Sequence, residues 1–79
     1  MPYIKPEDRK RVKENGPSSP GELNYAITSL CLDYFDASEQ NYAAINAIIG
    51  ALDCAKLEFY RRVAVSYEKK KIKENGDVY

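Results

Sequence analysis

From Asn41 to Lys73 apolar side chains recur at helical spacing without an intervening proline. At 3.6 residues per turn, Tyr42, Ile45, Ile49, Leu52, Phe59, Tyr60, Val63 and Tyr67 share one stripe, with Ile48 and Ala55 on its edge. The pattern predicts one long helix, roughly 50 Å at ~1.5 Å per residue, closed by Glu74-Asn75-Gly76. On the other side Ala43, Ala47, Gly50 and Cys54 form a row of small side chains, and with Ala44 and Leu57 they make residues 42 to 57 apolar almost all round. A helix apolar on every side is buried on every side.

Upstream, Ser19-Pro20-Gly21-Glu22 carries a helix start: serine at the N-cap, proline at the first helical position, and glutamate three residues on to close a capping box. Leu23, Ile27, Leu30 and Tyr34 then run along one face, bordered by Ala26 and Cys31, while Tyr25, Ser29 and Asp33 point elsewhere. This helix is expected to end near Phe35. Asp36-Ala37-Ser38-Glu39 offers a short turn with Asp36 or Ser38 as the next N-cap, so the long helix should fold back antiparallel. Residues 1 to 6, with two prolines, are expected to be extended. Pro6 then opens a short helix whose only interior apolar residue is Val12, and Asn15-Gly16-Pro17 stops it. The expected fold is all-α: an antiparallel helical hairpin with one long C-terminal helix and a short N-terminal helix, forming a dimeric helical bundle. One domain spans 1–79, divided into an extended segment, short helix and linker over 1–18, the hairpin over 19–73, and a tail over 74–79.

The hairpin partner begins only at Pro20 and reaches no further along the long helix than about residue 56. Phe59, Tyr60, Val63 and Tyr67 need another cover, and the expectation is residues 1 to 14 through Tyr3, Ile4 and Val12, or a second copy of the chain. The size of the chain points the same way. A chain of 79 residues buries only ~60% of its unfolded surface, so assembly would help it.

Composition narrows the chemistry. An apolar fraction of 44% with 30% charged residues is that of a globular or helical protein, not a disordered one. No stretch approaches a membrane span, and the opening Met1 to Asp8 lacks the basic-then-apolar pattern of an export leader, so a cytoplasmic location is expected. There is no histidine, which removes the commonest general base and metal ligand. Cys31 and Cys54 match no metal spacing and read as buried free thiols. No phosphate loop, nucleophile elbow or facing carboxylate pair is present. The sequence therefore predicts no catalytic residue, no metal site and no cofactor.

Charge is balanced overall but uneven: residues 1–14 carry five basic and three acidic groups, 15–60 one and six, 61–79 six and three. Arg61, Arg62, Lys69, Lys70, Lys71 and Lys73 form a candidate basic surface beside Tyr60 and Tyr67, the kind of setting in which nucleic acid can bind by stacking and phosphate contact. A basic helix end also follows from the C-terminal dipole alone. Arg9-Lys10-Arg11-Val12-Lys13-Glu14-Asn15-Gly16 nearly repeats as Lys69-Lys70-Lys71-Ile72-Lys73-Glu74-Asn75-Gly76, which reads as reused stop chemistry. Lys56 falls on the apolar stripe. It is expected to pair with Glu22 across the hairpin in a partly buried ion pair, the functional alternative being a lysine of depressed pKa acting as base or nucleophile.

Ser19-Pro20-Gly21-Glu22-Leu23-Asn24-Tyr25-Ala26-Ile27-Thr28, Gly50-Ala51-Leu52, Leu57-Glu58-Phe59-Tyr60-Arg61-Arg62 and the closing Asn75-Gly76-Asp77-Val78-Tyr79 resemble a small uncharacterised family found in bacteria and phages. That resemblance implies a self-contained helical domain and no functional residue. The expected function is that of a small intracellular interaction or assembly protein, a homodimeric helical module through Ala43, Ala47, Gly50 and Cys54, rather than an enzyme. The alternative is a nucleic-acid-binding accessory protein that uses the basic helix ends.

Overall fold

The computed structural model describes residues 3–79. Among these there is no strand, and the chain is all-helical: α1 spans Pro6–Asn15, α2 Pro20–Asp36, and α3 Tyr42–Phe59, which continues through a π-helical turn at Tyr60–Ala64 into α4, Val65–Asn75. Two compact units divide the chain, Met1–Ile45 and Asn46–Tyr79. Tyr3 to Lys5 precede α1 without helical structure, and Lys5 is extended at φ −66°, ψ 152°. The rest of the expected extended segment, Met1 and Pro2, lies outside the described residues.

In the first unit α1 packs on α2. Val12, at 5% exposure, is the one buried hydrophobic side chain among the described residues. Residues 1 to 14, or a second copy of the chain, were expected to lie over the distal half of the long helix; within the first unit α1 contacts α2. Tyr3, Ile4 and Arg9 share a shallow hollow with Tyr25, Ser29 and Leu32, one face of α2 at spacings of four and three. The sequence favoured the opposite assignment. The more apolar row Leu23, Ile27, Leu30 and Tyr34 stays 43–72% exposed, while Tyr25, Ala26 and Ser29 are half-buried. On the side that receives α1, Arg11 reaches Glu22 and Val12 is buried.

The start of α2 keeps half of its capping box. Ser19 Oγ accepts from the amide of Glu22 at 3.2 Å. The Glu22 carboxylate does not return to Ser19; its Oε1 takes the amide of Ser18 at 3.0 Å and the Ser18 hydroxyl at 2.9 Å. Between α2 and α3 the expected N-cap at Asp36 or Ser38 is replaced by Asn41, whose Oδ1 accepts from the amide of Ala44 at 2.9 Å. Ser38 is engaged elsewhere, donating to the carbonyl of Phe35 and accepting from the amide of Gln40. Gln40 sits at φ 54°, a left-handed conformation held by that bond and by its side-chain amide on the carbonyl of Asp36 at 3.3 Å.

Both basic runs end in the same cap. Gly16 and Gly76 adopt φ 85° and 81°, which glycine enters without a Cβ penalty. Their amides donate to the carbonyls of Val12 at 2.8 Å and Ile72 at 2.7 Å.

Candidate interaction surface

The predicted apolar stripe runs along α3, which begins at the end of the first unit, and on into α4 of the second. Ile45, Ile49, Leu52, Phe59, Tyr60, Val63 and Tyr67 are 38–66% exposed and Tyr42 75%. The small-residue row Ala43, Ala47, Gly50 and Cys54 is also exposed. A Cβ built at Gly50 would meet nothing within 4 Å, so the row is open at its centre. The buried thiols expected from the sequence are corrected: both cysteines are free, Cys31 half-buried and Cys54 exposed. A thiol on an unpartnered helix face has nothing to bury it.

At Tyr60–Ala64 the stripe changes register. The amide of Val65 bonds the carbonyl of Tyr60, five residues back, so this turn holds one residue more than an α-turn and the distal half rotates by roughly 100° relative to an uninterrupted helix. A bond across the turn marks the shift: the Tyr60 hydroxyl donates to Glu68 Oε1 at 3.2 Å, eight residues on. In an α-helix the seventh residue, Tyr67, would stand nearly in line with Tyr60, and the eighth would be off by about 80°. Tyr67 is thus displaced sideways from the continuous stripe that constant 3.6 spacing predicts. Glu68 pushes the Tyr60 phenol above its ordinary pKa, because the hydrogen bond and then the carboxylate's charge oppose ionisation.

The candidate basic surface is partly neutralised. Glu58 bonds Arg61 and Arg62, both at 2.6 Å, and these two contacts hold its carboxyl below the ordinary carboxylate range. Lys71 reaches Glu74 at 3.3 Å and lies 5.6 Å from the ring centroid of Tyr67, within cation–π range. Lys69, Lys70 and Lys73 carry no ion pair among the described residues. Sequence spacing already contained the Glu58 clamp, since its arginines lie three and four residues on.

Glu22, expected opposite Lys56, instead bonds Arg11 at 2.5 Å. With Ser18 on its other oxygen, its carboxylate is fully engaged inside the first unit. The Arg11 contact first, then the Ser18 amide, lowers its pKa. Lys56 is exposed on α3. Among the described residues no cluster of three or more His, Cys, Asp or Glu side chains could hold a metal ion, and no helix is long and apolar enough to cross a membrane.

With this geometry in hand, residues 1–78 match a family described as a domain of unknown function, DUF6899. The chain belongs to that family. DUF6899 membership covers both helical units and assigns no activity to either. No curated protein and no solved structure matches the chain.

Proposed function

We propose that this DUF6899 chain is an interaction module that self-associates through its long helix. The helices pair antiparallel as a hairpin within a dimeric bundle, and the row Ala43, Ala47, Gly50 and Cys54 lets the helices approach closely. The observation that carries this reading is the exposure of the apolar stripe running from α3 into α4, where Val12 is the one buried hydrophobic side chain among the described residues. Fully covering each large side chain is worth ~1.5–3 kcal/mol, and even part of that over eight such residues is comparable with an association cost of about 4–15 kcal/mol.

Gly50→Leu tests it cleanly. A Cβ at this position meets nothing within 4 Å, and leucine is the better helix former, so weaker association in the variant would not come from a damaged helix. Sedimentation or light scattering over a concentration series should show a dimer for the parent chain and at least ten-fold weaker association for the variant. A parent chain that stays monomeric at high concentration refutes the reading.

Nucleic-acid binding is the second reading, supported by Lys69, Lys70 and Lys73, which keep their charge free of carboxylates among the described residues. A gel shift with single-stranded DNA that weakens steeply with salt and disappears in Lys69→Gln/Lys70→Gln/Lys73→Gln would favour it.

A further inference from the structure

The two basic runs share more than sequence. Each is a helix end with a triple cation, then an aliphatic residue, then Lys-Glu-Asn-Gly, and each closes with a left-handed glycine whose amide bonds the aliphatic residue's carbonyl. In the first copy the structure displays what such an end does. Its aliphatic residue, Val12, is buried. Its last cation before that residue, Arg11, bonds Glu22 in the first turn of α2 and contacts the Ser18 hydroxyl at 3.4 Å. The end of one helix is thereby seated on the capped, acidic start of another.

Within the second unit the corresponding positions meet no other helix among the described residues. Ile72, which corresponds to Val12, is 46% exposed. Lys71, which corresponds to Arg11, reaches the carboxylate of Glu74 three residues away on its own helix and lies over the Tyr67 ring. Together with Glu68, Asn75, Gly76 and the tail residues Asp77, Val78 and Tyr79 these residues line an open hollow.

We propose that this C-terminal end, 68–76, docks the N-terminal turn of a helix in a partner protein, one that begins with a serine-type cap and carries a carboxylate at its third position. Three complementarities select that occupant. Lys71, in the position of Arg11, meets the carboxylate, the negative end of the α4 dipole meets the positive start of the partner helix, and Ile72 takes the place of the buried Val12. The start of α2 in a second copy is not the occupant. It already holds α1 through a linker of only Gly16 to Ser19, and so short a tether gives α1 an effective concentration of roughly millimolar.

The test uses the full chain, isotope-labelled, and a synthetic peptide of residues 17–36 as a probe of a Ser-x-x-Glu helix start, alongside its Glu22→Gln version. Amide shifts are expected at Lys71, Ile72 and Gly76, with binding at least ten-fold weaker for the Gln peptide. Ile72→Asp in the full chain should abolish the shifts. Lys71→Gln, which leaves the helix cap and the apolar side chain intact, should reduce affinity several-fold. Shifts confined to 9–16 or to 42–60, equal binding of the two peptides, or no shift at millimolar peptide would each overturn the proposal. Because the readout is local to 68–76, it stands or falls apart from self-association.

Discussion

The two units solve the same problem differently. In Met1–Ile45 a ten-residue helix, too short to be stable alone, is fixed by one buried valine and one ion pair to the neighbouring helix. In Asn46–Tyr79 a helix several times richer in large apolar side chains buries none of them fully. The contrast teaches that apolar content alone does not decide what is covered; a neighbouring element at the right place does, and for α1 that place holds both the Arg11–Glu22 contact and the buried Val12. The first unit seats α1 on one side of α2 and leaves Leu23, Ile27, Leu30 and Tyr34 exposed, whereas the second presents its apolar side chains outward along its whole length.

Deleting residues 1–14 gives the largest break in that comparison. Hydrogen exchange should show lost protection over the first turns of α2, where α1 now sits, and unchanged protection over 56–73. Faster exchange over 56–73 would return the N-terminal segment to the role the sequence first suggested. Next in size is Val12. Val12→Ala removes the equivalent of two buried methylenes, about 1.6 kcal/mol, and Val12→Asp should release α1 altogether, seen as loss of protection at residues 6–15 with 46–75 unaffected.

Glu22 and Lys56 sharpen the comparison at the level of charge. Glu22→Gln should weaken α1 docking in the first unit, while Lys56→Met should leave that docking unchanged; equal effects would favour the Lys56–Glu22 pairing the sequence suggested. Because Arg11 and Ser18 lower the Glu22 pKa, the folded unit binds this proton less readily than the unfolded chain. Its contribution is therefore full above the ordinary carboxylate range, near 4.5, and is lost as pH falls through the lowered value. Protection of α1 should fade on acidification in the parent chain and lose that pH dependence in Glu22→Gln. The smallest effect concerns Tyr60. Glu68→Gln should bring its ultraviolet titration back down toward the ordinary phenol value without a measurable change in melting temperature, since the pair is exposed.

How far the sequence alone reaches depends on how local the cause is. Ser19 and Pro20 opened α2, and Gly16 and Gly76 closed their helices, because caps are decided within four residues. The N-cap of α3 was misplaced for a related reason: Asp36, Ser38 and Asn41 are all competent caps, and only the left-handed Gln40 between them selects the last. The Arg11–Glu22 pair joins residues eleven apart across a turn, and no spacing rule announces it. The π turn was equally silent, since Tyr60 to Ala64 carry ordinary helix formers and constant periodicity is the premise on which the stripe was drawn. The candidate row Ala43, Ala47, Gly50 and Cys54 was legible as a face; what meets it lies outside a single chain.

That π turn also makes the distal helix adjustable by counting. A helix that has absorbed one residue can lose one and return to regular hydrogen bonding without breaking, so removing a single residue from 60–64 would turn everything beyond it by roughly 100° while leaving α3 in place. Lys69 to Lys73, Ile72 and the Gly76 cap would all be re-aimed together, and the bond from Tyr60 would pass to whichever residue came into line. Length at this one point thus acts as a gear between the two halves of the helix. Chains of this family that differ by a residue here should differ in where their basic end faces, even with every side chain beyond it the same.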